Sequence, residues 1–578
     1  MPQLQINQGP QDALLYDNTR SYFTNVGYVR TSNFQVELRD VEPVNNAELG
    51  SQVQFVIPKA ADLLGPLDLI VEFNAPATLN VASGYAAWVE NIGFAMLDKV
   101  IFSVGSTDVE TITGDQLNII NELMRSETQR LDKTIGKTGR GACSYQPKHS
   151  ASAGSAHVFF DTPGASVPSN GTGFTDGRAI AINPAGSYSA AATKRYKKKV
   201  VVPLGLFFTK HPSQYFPLAA IAGCNDVRVT VKFRNMSELI IVGNSAVACA
   251  LDDSTPADPV TTIDVTASPA AVTMANLTWP NKKIEHCSLR AHYVHVTGPE
   301  ATTLMNKEHV RLMKLWQNNG AFTQRVKGST VNGSFNIDLS FLHPIQEFII
   351  TIRKTTELSS ADSGEVAPNA LDQKALGKNR FAYHGNGTDP NVESMANRCS
   401  AGDGAIVLAS ASATQAYQSK PPGVFSADLS TPTLKVNGFK LTLNGQERHP
   451  SLNKGIERDY LMDRLMPMLH SNTATNYEAI SRGSLVDGSE LDFAHLQQLK
   501  DRKEIYVYPF ALNPEGPNPS GAVNFSKVSH ARLTINYDSV GVYESGGNAA
   551  EVEFQVDVYG VYYNWLQIKD GRALLSFA

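Results

Sequence analysis

A few places in this sequence bring reactive side chains close enough to suggest chemistry. Gly136-Lys137-Thr138 has the ending of a phosphate-binding loop, in which backbone amides and a lysine cradle a nucleotide. Such a loop also needs a glycine five positions earlier, where this chain has Leu131, and a strand leading straight into it. Asp252 and Asp253 offer paired carboxylates, but "LDDSTP" lacks the spacing of a calcium loop and reads as a solvent turn. His292 and His295 lie three apart in a strand-like run, so a period of two sends them to opposite faces rather than to one metal. The densest basic run, "KRYKKK" (194–199), could meet phosphates, yet it opens directly into "VVVP" and reads as the solvated mouth of a strand. The cysteines, Cys143, Cys224, Cys249, Cys287 and Cys399, are odd in number and have no metal-binding spacing, so they are expected to be free thiols. No nucleophile-elbow or zinc-protease signature is present. No catalytic residue, no metal site and no cofactor is therefore expected.

The elements that would hold such residues are mostly strands. Of the 578 residues only 18% are charged, the net charge is −5, and Gly, Pro, Ser, Thr and Asn are plentiful, which suits many turns. The length favours two or more domains. The N-terminus lacks a secretion signal, and no apolar run approaches the eighteen or so residues of a membrane span, so a protein made in a cytosol-like compartment is expected. Six Asn-x-Ser/Thr triplets, at Asn170, Asn235, Asn276, Asn332, Asn386 and Asn524, are about what this composition gives by chance. "EVEFQVDVY" (551–559) alternates Val552, Phe554, Val556 and Val558 with Glu551, Glu553, Gln555 and Asp557, which puts the first set in a core and the second in solvent. Similar runs stand at 33–38, 52–57, 67–73, 99–104, 198–202, 227–233, 288–296, 334–341, 347–353, 439–444, 505–508 and 531–537. Helices are expected over 113–124, with Thr113 and Gln116 as a capping box, and over 456–469, ended or kinked near Pro467.

The order of elements repeats. A strand and Gly turn (100–106), a helix (113–124), a strand ending in Pro203 and a proline-containing connection lead to the strand at 227. The second half follows the same order through 440–446, 456–469, Pro509 and a Pro-rich connection to the strand at 531. The two final spacings, Pro203 to Val227 and Pro509 to Ala531, differ by two residues. Two similar β-domains in tandem are expected. Three long, charge-poor stretches, about 130–195, 236–282 and 355–432, interrupt them, and such loops usually carry interactions.

Several strings resemble the double jelly-roll major capsid proteins of nucleocytoplasmic large DNA viruses, of the algal-virus, iridovirus and mimivirus type. The strongest is "YVYPFALNPEGPNPSGAVNFSKV" (506–528). Others are "RSYFTNVGYVRTSNFQVE" (20–37), "VPLGLFFTKHPSQYFPLAAI" (202–221), "FNIDLSFLHPIQEF" (335–348), "LTLNGQER" (441–448) and "YNWLQIKDGRALLSFA" (563–578). The resemblance implies an all-β chain of two tandem eight-stranded antiparallel jelly-roll sandwiches with few short helices. It divides the chain into an N-terminal arm (1–29), a first jelly roll (30–298) and a second (299–578). Family-signature structural positions are then Trp88, Pro203, His343, Pro344, Asn444, Gly445, Pro509, Phe510, Pro514, Pro519, Ser520, Gly521, Asn524, Phe525, Ser526, Asn564 and Gly571. It also implies a virion shell protein, made in the host cytoplasm, whose homotrimers form pseudo-hexagonal capsomers. Its partners would be further copies, minor capsid and penton proteins and an internal membrane, without sequence-specific nucleic-acid binding.

A tandem β-sandwich that binds carbohydrate is the competing reading. It would need an aromatic platform or facing carboxylates. Trp88, Trp279, Trp316 and Trp565 are scattered along the sequence.

Overall fold

The structure, a computed structural model, describes residues 34–576 apart from 137–178, 183–193, 245–260, 265–276, 359–379, 384–405, 418–432, 471–503, 541–550 and some shorter stretches. Lys137, Thr138, Asp252, Asp253 and the N-terminal arm lie outside the described residues. The frame of the first half is β1 (Phe34–Val41), β2 (Gln52–Ile57), β3 (Leu63–Phe73), β4 (Leu97–Val104), β5 (Thr107–Ile112), β6 (Lys198–Pro203), β7 (Val227–Phe233) and β8 (Ile284–Val296). The second half supplies β9 (His309–Lys327), β10 (Gly333–Asp338), β11 (Pro344–Lys354), β12 (Thr433–Leu443), β13 (Gln446–Glu447), β14 (Ile505–Pro509), β15 (Ala531–Val540) and β16 (Glu551–Lys569).

The first half forms two antiparallel sheets, ordered β1-β8-β3-β6 and β2-β7-β4-β5. The second forms β9-β16-β11-β14 and β10-β15-β12-β13, the same order displaced by eight strands. Chain neighbours such as β1 and β2 fall in opposite sheets, so this is an eight-stranded jelly roll built twice. Alternation drives it. In β7, Val227, Val229, Val231 and Phe233 are buried, and Val229 sits opposite Phe55 of β2 and Phe102 of β4. The buried apolar residues of both halves form one continuous cluster.

The helix α1 (Gly114–Leu123) carries the expected capping box. Thr113 Oγ1 accepts from the Gln116 amide, and Gln116 Oε1 accepts from the Thr113 amide. The 456–469 segment is helical without a break from Arg458 to Leu469, with a π-helical turn inside it. Arg458–Tyr460 and Met466–Leu469 flank a π-helical turn, Leu461–Leu465. Pro467 has no N–H for the carbonyl four residues back, and a wider turn just before it accommodates that loss.

Two departures follow from pairing. The 19-residue β9 was not among the expected strands. It is an edge strand with a bulge around Asn318–Ala321, so few of its side chains are buried and its alternation is broken. Its partner β16 runs to Lys569, ten residues past the alternating stretch, because β9 and β11 cover both its edges.

The long insertions meet. Ala179–Ile182 and Lys194–Arg195 join Gly84–Trp88 and Ile240–Asn244 in a side sheet. Thr261–Asp264, between β7 and β8, runs parallel to Ile406–Ser410, between β11 and β12, which pairs in turn with Ala413–Tyr417.

Candidate functional site: matched crossings and a buried charged seam

Each half carries the chain from one sheet to the other by the same crossing. Pro203 ends β6 opposite Asp68, and Pro509 ends β14 opposite Glu347. The next amide donates back to the facing strand in both, Leu204 to Leu67 O (2.8 Å) and Phe510 to Gln346 O (2.8 Å). Each crossing then returns for two residues of pairing, Phe216–Pro217 on β3 and Val523–Asn524 on β11. A 3-10 turn follows at once, Leu218–Ala220 or Phe525–Lys527. The strand-to-strand turns lock on alike. Gly105 N donates to Asp226 O (2.8 Å) and Asn444 N to His530 O (2.7 Å), each acceptor standing one residue before β7 or β15.

The second crossing gathers most of the signature positions. Pro514 is buried, and its carbonyl accepts from Lys314 Nζ (2.8 Å) and Gln346 Nε2 (3.3 Å). Asn513 and Ser520 close a loop. The Asn513 amide donates to Ser520 Oγ, Ser520 Oγ donates to Asn513 O, and Asn513 Oδ1 accepts from Gly516 N, all at about 3 Å. Pro519 is exposed beside it. Gly521 has φ +138°, and a Cβ there would stand 2.8 Å from Phe510 O. Asn524 Oδ1 accepts from Ser526 N. Phe510 and Phe525 pack edge-on against Phe348, with the Arg448 guanidinium 4.8 Å from the Phe510 ring. His343, before Pro344, adopts φ +71°, a conformation L residues avoid. It is held from three sides: its amide donates to Ser526 Oγ (2.9 Å), its carbonyl accepts from Phe525 N (3.0 Å), and its ring stacks on Tyr562. Asn444 and Gly445 both have positive φ, as a two-residue hairpin turn requires. Asn444 Oδ1 also accepts from Ser529 and His530 amides.

Beneath this crossing lies a buried acid–base pair. His470 Nε2 is 3.0 Å from Glu347 and its Nδ1 is 3.1 Å from Glu515. Burial alone would lower the imidazole's pKa, but Glu347 and then Glu515 more than offset it, raising it to about 9.

The seam between the halves is ionic. Asp115 of α1 faces Arg380 (2.8 Å), Arg353 of β11 (3.5 Å) and Arg234 (3.6 Å). Arg353 also pairs with Asp557 of β16, and Asn118 Nδ2 donates to Tyr383 OH (3.2 Å). Burial opposes the Asp115 charge, but Arg353, Arg380 and Arg234 outweigh it and hold the carboxyl far below the usual range. Sequence alternation places Asp557 in solvent; the structure buries it, because the outer face of that sheet packs on the first half rather than on water. Asn225 Nδ2 donates to Gly571 O (2.8 Å), Ile221 bridges Gly571, and Arg311 Nη1 donates to Tyr215 O (2.6 Å), so the first crossing also meets the second half.

The remaining residues stand apart. Trp88 is buried on Phe73, with ring centroids 4.5 Å apart, and the buried Asn564 accepts from the Trp565 amide. Trp279 and Trp316 are partly buried against the core, and Trp565 stands exposed on β16, so the four tryptophans make no platform. His292 faces Asp68 and His295 faces Glu37; among the described residues no group of His, Cys, Asp and Glu could hold a metal. Lys197 and Lys199 of the basic run pair with Glu285 and Glu72, as befits a strand mouth.

Comparison with known proteins agrees with this architecture. A family model described as "Major capsid protein N-terminus" matches residues 21–277, and one described as "Large eukaryotic DNA virus major capsid protein" matches 493–573. The chain belongs to the major capsid proteins of large eukaryotic DNA viruses. The capsid chain is 23% identical to the major capsid protein of Phaeocystis pouchetii virus over 99% of its own length and 98% of that protein. It is 22% identical to that of Chrysochromulina ericina virus, covering 99% and 98%. Among solved structures, the PBCV-1 virus capsid quasi-atomic model superposes with a TM-score of 0.53 at 15% identity, covering 96% of this chain and 100% of that one. The Faustovirus major capsid protein gives 0.52 at 13% identity, covering 96% and 94%. At such identities these likenesses speak for the fold, and they meet the capsid chain as a double jelly roll.

Proposed function

We propose that three copies of this capsid protein form a pseudo-hexagonal capsomer that tiles an icosahedral shell, with a structural role and no catalysis. The observation that carries this is the twofold use of one jelly-roll order and one crossing within a single chain. Two like wedges per chain make six per trimer, so a threefold unit presents six similar sides to its lattice neighbours. An obligate assembly of this kind buries on the order of 2,000–5,000 Å² per interface. The two jelly rolls are 30–298 and 299–578, and the insertions at 130–195 and 355–432 form the outward tower. The N-terminal arm lies beneath, toward minor capsid and penton proteins and an internal membrane, and the chain is made in the host cytoplasm. The signature positions serve as structural joints.

Native mass measurement and electron microscopy of the purified chain test this. Trimers of pseudo-hexagonal outline are expected; a stable monomer with affinity for glycans would overturn the reading.

A further inference from the structure

Guanidiniums withdrawn from water in this chain stand against carboxylates. Arg353 pairs with Asp557 and Asp115, Arg234 with Asp115, and Arg458 with Glu504 (2.7 Å). Arg311, near the start of β9, departs from this pattern. It is half-buried, and among the described residues its one hydrogen bond runs from Nη1 to Tyr215 O (2.6 Å). Burial lowers its pKa with no carboxylate acting the other way. A guanidinium carries five N–H donors, so most of those on Arg311 are left for another acceptor.

Arg311 lines a cavity of about 510 Å³ between the helix α2 (Pro299–Asn306) and the first residues of β9. That volume falls within the range of small-ligand sites, roughly 300–1,000 Å³. Lys307 lines the same cavity and has no acid within ion-pair distance among the described residues. Glu308, the acid among the lining residues, is already engaged: it faces Lys569 (3.7 Å) and accepts from Gln567 Nε2. The last carbonyls of α2, whose partial negative charge would repel an anion, are also taken. Lys307 N donates to Thr303 O (3.0 Å) and His309 Nε2 to Leu304 O (2.9 Å). Leu304 and Val310 give the cavity an apolar wall.

We propose that this cavity binds a phosphate monoester of a compact organic group, its phosphate held by Arg311 and Lys307. The proposal goes beyond the shell role and does not depend on the capsomer reading. A phosphate monoester carries about −1.5 to −2 at neutral pH, which matches two cations, whereas a carboxylate would leave one of them short. The guanidinium fork presents paired donors to phosphate oxygens, and the lysine adds a point charge. The wall of Leu304 and Val310 suits the carbon portion of the ester.

The intact purified chain tests this with glycerol 3-phosphate as the free ester and with vesicles of phosphatidic acid in phosphatidylcholine as the same group on a lipid. Calorimetry or vesicle sedimentation should show saturable binding, and hydrogen exchange should slow in peptides spanning 303–311. Lys307→Ala, at an exposed position, and Arg311→Gln, which keeps a donor for Tyr215 O, should each weaken binding about tenfold or more. Lys197→Ala, in the basic run at the strand mouth, should leave it unchanged. Binding of the soluble ester assigns the site to a free ligand, and binding of vesicles alone assigns it to a lipid headgroup. Binding of neither overturns the inference. So does binding that survives both Lys307→Ala and Arg311→Gln, or an equal response to acetate at matched ionic strength.

Discussion

Asp115 shows how much one side chain carries here. Three guanidiniums converge on it from separate segments, and two of them, Arg353 and Arg380, belong to the second half of the chain. Asp115→Asn keeps the shape but leaves those charges short of a buried partner, with Arg353 retaining Asp557. The expected loss is about 3 kcal/mol or more, read from urea unfolding at neutral pH. The sign with pH follows from the depressed carboxyl: its contribution is complete above the unfolded value near 4 and is lost as acid drives the pH below it, so the acid flank of the stability curve should flatten in the variant. His470 works in the other direction. Its pKa is raised to about 9, so its contribution is complete below about 6.5 and fades as the pH climbs through 9. The difference is on the order of 3 kcal/mol. Unfolding of the wild type at pH 6 and pH 10 should show that alkaline loss, and His470→Gln should remove it while being less stable at pH 6.

At the scale of elements, the crossing is held by backbone geometry as well as by side chains. Gly521→Ala forces a Cβ to within 2.8 Å of Phe510 O at a φ few L residues adopt, so about 1–3 kcal/mol of destabilisation is expected in denaturant unfolding. A loss below 0.5 kcal/mol would mean the loop relaxes freely. The crossings were legible in the sequence because prolines at matched spacing mark a path, and the alternating strands and the Thr113/Gln116 cap were legible for similarly local reasons. The seam was not. Arg353 ends the apolar run "EFIITIR" and Asp557 sits on the polar side of "VEFQVDVY", so each resembles a solvated strand residue until the first half covers them. Five chain segments, carrying Asp115, Arg234, Arg353, Arg380 and Asp557, build that cluster, and its arginines stand far apart in the sequence. β9 escaped for another reason: an edge strand buries few side chains, and its bulge breaks the only periodicity it has.

At the scale of the molecule, the seam bears on whether a jelly roll of this chain can stand alone. Sequence repetition suggests two independent domains, and each does have its own pair of sheets. Yet the buried apolar residues run continuously across both, and the ion cluster needs Asp115 from one half and Arg353 from the other. Producing residues 299–578 alone would expose Arg353, Asp557 and Tyr559 together with the surface that packs on α1. Inter-domain surfaces of flexible chains are mostly polar and solvent-tolerant, whereas this one buries an ion cluster in which Arg353 and Arg380 of the second half pair with Asp115 of the first. Each half expressed alone should therefore give aggregated or non-cooperatively melting protein. Coexpression of 1–298 with 299–578 should recover a soluble complex with one sharp transition. If either half alone melts cooperatively near the temperature of the intact chain, the seam is a contact between finished domains and the matched halves owe their fixed relation to the linking chain instead.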